Sequence, residues 1–96
     1  MILSFDEFRN HLDDVLWYTW DPEQRNHDDK QRHCYYPLTE RLAERLLDSY
    51  RNVDVAAELA ALRRQRWPQL SQSAGERAAC ETIQTLLDNA EVDPTA

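Results

Sequence analysis

The chain holds one glycine, Gly75, in 96 residues. Phosphate-cradling P-loops, dinucleotide-binding fingerprints and nucleophile elbows each need several glycines, so all three are excluded. Gly75 itself falls in Ser73-Ala74-Gly75-Glu76, which reads as a helix capping box. Cysteine is scarce too. Cys34 and Cys80 form neither a C-x-x-C pair nor a disulfide framework, and they read as separate thiols, Cys80 buried on a helix. Cys34 follows His33 directly, but sequence neighbours rarely set a base against a thiol, and no third group is evident. No run approaches the ~18–20 apolar residues of a membrane span. Met1 to Phe5 is followed at once by Asp6-Glu7, which leaves neither the basic nor the apolar region of a secretion signal. The expected compartment is the cytoplasm.

Bases are outnumbered: 11 Lys and Arg stand against 18 Asp and Glu, for a net charge of −7. The imbalance is uneven. Residues 1–29 hold eight acids and two bases, whereas residues 30–66 hold eight bases and five acids. Overall acidity argues against a nucleic-acid partner and suits a basic protein partner. Hydrophobic residues make up 42% of the chain, enough for one modest core and too many for a wholly disordered chain.

What is present is helical periodicity. Ser4 and Glu7 form a capping box, and Leu3 and Phe8 stand at the positions of a hydrophobic staple. Phe8, Leu12, Leu16 and Trp20 continue one stripe at helical spacing, with the first helix running from Leu3 to Tyr18. Eleven residues without an apolar side chain follow, from Glu23 to His33, and read as a long loop. Pro37 opens a second helix with Leu38, Leu42 and Leu46 on its stripe. Asn52 reads as the cap of a third, which carries Leu59 and Leu62, places Arg63, Arg64 and Arg66 in its last turn and stops at Pro68. Ile83, Leu86 and Leu87 mark a fourth, ending near Asn89. No segment alternates with period two. The expected fold is all-α, a small bundle of about four antiparallel helices in one domain over 1–90, with 91–96 as a frayed tail.

Trp17 and Tyr18 lie off the main stripe, and acids surround them. The expected partner-binding set is Asp13, Asp14, Trp17, Tyr18, Asp21, Glu23, Asp28 and Asp29, since aromatics ringed by charge resemble a binding hot spot. The plain alternative is a solvated charged face with the aromatics packed on a neighbouring helix. His27, Asp28, Asp29, His33 and Cys34 are metal-ligand types, but their spacing matches no zinc signature. No metal, cofactor or catalytic residue is assigned.

The first helix, Trp20-Asp21-Pro22, the polar loop, Tyr35-Tyr36 and the hairpin from Leu42 to Leu62 together resemble the YugE-like group of small bacterial helical proteins. The resemblance spans roughly residues 12–62 and departs at Glu23-Gln24, where that group carries Ile-Gly. It implies an all-α fold and a bacterial source. The group is of unknown function, so no activity follows. In size, acidity and helicity the chain also resembles immunity proteins of toxin systems. The expected function is therefore a non-enzymatic binding protein that neutralises or regulates a partner with a basic surface, such as a toxin or nuclease. Two alternatives come from other classes. One is a self-associating module that buries Trp17, Trp20 or Trp67 in a homodimer. The other is a metal-binding enzyme built on the His27–Cys34 loop.

Overall fold

A computed structural model describes residues 2–48, 54–72 and 74–93. The architecture is a small all-α bundle. A short strand β1 (Ile2–Ser4) leads into α1 (Phe5–Val15), and α1 continues into a π-helical turn (Leu16–Trp20). After the polar segment come α2 (Tyr36–Asp48), α3 (Val55–Arg66), α4 (Ala74–Asn89) and a second short strand β2 (Glu91–Asp93). Each helix packs on the next in sequence, and α4 closes the ring against α1 and the π-turn.

Local chemistry explains the boundaries. Ser4 Oγ accepts from the Glu7 amide at 3.1 Å, and Glu7 Oε1 accepts from the Ser4 amide at 3.2 Å, which completes the expected capping box. Asp54 is the observed cap of α3, its carboxylate accepting from the Ala57 amide at 3.1 Å. The expected cap, Asn52, lies outside the described residues, as does Ser73 of the second capping box. α3 ends at Arg66, two residues before Pro68.

The core is the one the stripes describe. Phe8, Leu12, Leu16, Leu42, Leu46 and Leu59 are fully buried, with Leu62 and Ile83 beside them, while Leu86 is only half-buried. Cys80 is also only half-buried. Two expectations are corrected, one at residues 91–93 and one at Leu16. β1 and β2 pair in parallel, with Leu3 opposite Val92, so residues 91–93 are tied down rather than frayed. Three-residue strands are too short for a period-two pattern to register. Their pairing depends on two segments far apart in sequence meeting in space. The first helix also changes form at Leu16, where the Asp21 amide donates to the Leu16 carbonyl at 2.9 Å, five residues back.

Candidate functional site

Three buried carboxylates organise the region around the π-turn, and each is held by groups from a different part of the chain. Asp21 comes first. Its φ of 33° is left-handed, a conformation Asp tolerates better than most residues. The carboxylate of Asp21 accepts from the Tyr35 hydroxyl at 2.7 Å, the Arg25 amide at 2.8 Å and the Asn26 amide at 3.2 Å. Tyr35 Oη in turn accepts from the Glu23 amide at 3.1 Å. Burial, then the bond to the Asp21 carboxylate, pushes the Tyr35 phenol far above its ordinary value. The polar segment is thus wound around one carboxylate–phenol pair. A run of i→i+3 turns follows, including a 3-10 turn at Asp29–Gln31.

Asp13 is the second. Only 4% exposed, it accepts from Arg32 at 2.8 Å and from the Thr39 hydroxyl at 3.1 Å, with His33 Nδ1 at 3.5 Å. Arg32 also binds Asp14, and its guanidinium lies 5.8 Å from the Trp17 ring centroid and 5.4 Å from that of Tyr18. The polar segment therefore folds back over the end of α1. This buries Trp17 to 1% exposure, with the Tyr35 ring 6.3 Å away. Tyr18 stays 66% exposed, braced from one side by Arg32.

Glu76, in the first turn of α4, is the third. Its carboxylate accepts from Trp20 Nε1 at 3.1 Å and pairs with Arg63 at 2.9 Å. Arg63 also donates to the Leu70 carbonyl at 3.1 Å, so the Arg63–Glu76 pair ties the end of α3 and its following link to α4. Beside it, Gly75 lies so close to the π-turn that a Cβ there would stand 1.9 Å from the Thr19 carbonyl oxygen. Close approach, not capping, is what requires glycine at this position. Trp20, Tyr35 and Trp67 complete the cluster, with ring centroids 6.0–6.3 Å apart.

The expected binding set therefore divides. Asp13, Asp21 and Trp17 are buried and engaged inside the fold, which corrects their placement on an accessible patch. Asp28 is half-buried, and its carboxylate accepts from Lys30 and Gln31. Asp14, Tyr18, Glu23 and Asp29 are exposed, Glu23 being paired with Arg25 at 2.9 Å. Among the described residues, no group of three or more His, Cys, Asp or Glu side chains is placed to hold a metal ion, and the His27–Cys34 segment is no exception. Neither Arg32 nor Glu76 stands out in the sequence: Arg32 sits in a run of polar residues, and Glu76 has a simpler reading as a capping-box residue. No family model matches the chain, nor does any curated protein or solved structure in the comparisons.

Proposed function

We propose that the chain is a non-catalytic binding protein that docks on a partner protein through the face made by Tyr18, Asp14 and Arg32. Its role is to neutralise or regulate that partner, in the manner of a bacterial immunity protein acting on a toxin with a basic surface. One observation carries the reading: Tyr18 is a large exposed aromatic held in place. Arg32 lies against its ring and is itself held by the carboxylates of Asp13 and Asp14. Tyr and Arg are the residue types enriched in binding hot spots, and bracing them before contact lowers the entropy cost of association. The net charge of −7 favours encounter with a basic partner. The tryptophans that motivated a homodimer are engaged within one chain, Trp17 and Trp20 being fully buried.

Co-expression with the product of the adjacent reading frame tests the proposal. The wild-type chain should relieve that product's toxicity and co-purify with it. Tyr18→Ala should lose both properties while its stability stays within about 0.5 kcal/mol of wild type, as befits an exposed side chain. Full protection by Tyr18→Ala would reject this face.

A further inference from the structure

A cleft of about 380 Å³ opens between the start of α2 and the end of α3. Pro37, Leu38 and Arg41 line it from α2, Gln65 and Arg66 from α3, and Trp67 from the residue that follows. Glu23, Cys34 and Tyr35 close the end nearest the polar segment. The volume lies within the range of small-molecule sites, but the wall is more polar than apolar, with Pro37, Leu38 and Trp67 as its apolar part.

Its charge is the unusual feature. The chain as a whole is acidic, yet the cleft carries two arginines, Arg41 and Arg66, and neither is in an ion pair among the described residues. Other arginines nearby are occupied: Arg45 binds Glu58, and Arg63 binds Glu76. The one acid in the wall, Glu23, is already held by Arg25 at 2.9 Å. Two guanidinium groups that line a cleft with no ion pair among the described residues suit an anion, because each can donate two parallel hydrogen bonds to a carboxylate or phosphate. The Trp67 ring and the Pro37–Leu38 surface suit a flat, apolar body attached to it.

We propose that this cleft is a binding site for a small aromatic anion, an aromatic ring bearing a carboxylate or phosphate group, with Arg41 and Arg66 on the anionic group and Trp67 against the ring. The site is independent of the Tyr18 face and shares no residue with it.

Phenyl phosphate, benzoate, inorganic phosphate and phenol, each titrated into the full chain and followed by Trp fluorescence and calorimetry, provide the test. Phenyl phosphate or benzoate should bind, and whichever of the two binds more tightly identifies the anionic group. Inorganic phosphate and phenol should each bind about tenfold or more weakly than the better aromatic anion. Arg41→Gln and Arg66→Gln should each weaken that binding about tenfold, the size of a lost charge-assisted contact. Both arginines are exposed and neither is in an ion pair among the described residues, so the variants should keep the wild-type melting temperature, which a thermal scan checks. If neither aromatic anion binds at 10 mM (a ceiling set at about −2.7 kcal/mol), the proposal fails. It also fails if the folded variants bind as well as wild type. Inorganic phosphate binding as tightly as phenyl phosphate would remove the aromatic half of the assignment.

Discussion

At Gly75 one methyl group sets two effects against each other. Glycine in a helix costs about 1 kcal/mol relative to alanine, so Gly75→Ala in the first turn of α4 should stabilise the chain if helix propensity alone decided. The Thr19 carbonyl, 1.9 Å from the added Cβ, predicts the opposite. Both partners are backbone, so neither can rotate away, and α4 must shift off the π-turn. Gly75→Ala should lose about 1–3 kcal/mol, read as a lower denaturant midpoint. A gain would mean that α4 does not approach this closely. Tyr35 offers a second measurement at this scale. Its phenol is held above its ordinary value, 10.0, first by burial and then by the bond to Asp21. A raised folded value means that the neutral phenol is favoured in the fold. The stability it supplies is intact below about pH 10 and falls as the pH rises further. Between pH 9 and 11 the wild-type denaturant midpoint should therefore drop, and Tyr35→Phe, though less stable at pH 9, should drop less. Equal drops would show that Tyr35 is not the group responsible.

The element that matters most is the polar segment between the π-turn and α2. It has almost no apolar residues, yet it is ordered, because its bonds are made to buried carboxylates rather than to a hydrophobic stripe. Asp21 winds its first half and Arg32 pins its second half to Asp13 and Asp14 on α1. Arg32→Ala should leave Asp13 buried with one hydroxyl bond and a weaker contact to His33. The expected cost is about 1–3 kcal/mol, reduced from that of a fully buried pair because Arg32 keeps some contact with water. The effect should be local as well as global. Hydrogen exchange should speed up in the amides from about Asp28 to Tyr35 more than in α3 or α4. Uniform acceleration across the chain would mean that the segment is not clamped separately. The same variant should weaken partner binding through Tyr18, since the brace behind that ring is gone.

Residues 2–4 and 91–93 meet across the molecule. β1 and β2 pair in parallel, and Val92 packs against the core beside Leu3. A frayed tail could be removed without effect. Removing residues 91–96 here takes away the partner of β1 and uncovers Leu3, so the truncated chain should melt several degrees lower, about 4–8 °C per kcal/mol lost. An unchanged melting temperature would show that the strand pair contributes nothing.

The helices, their order and most of their buried residues were legible in the sequence. Helical stripes such as Phe8-Leu12-Leu16 and Leu38-Leu42-Leu46 are local, and a capping box such as Ser4–Glu7 is more local still. The sequence also lacks the several glycines of nucleotide-binding loops, and among the described residues no helix is long and apolar enough to cross a membrane. It could not show which charges lie inside. Asp13, Asp21 and Glu76 look like any surface acid until partners 4 to 56 residues away close around them. Nor could it show that Trp17 is buried, because the cover over Trp17 is Arg32 and Tyr35 rather than a neighbour on its own helix. A buried charge is stable only when opposite charges and hydrogen bonds replace its lost water. That replacement is a property of tertiary contact, so the fold alone decided which acids hold the structure and left Tyr18 as the exposed member of its aromatic group.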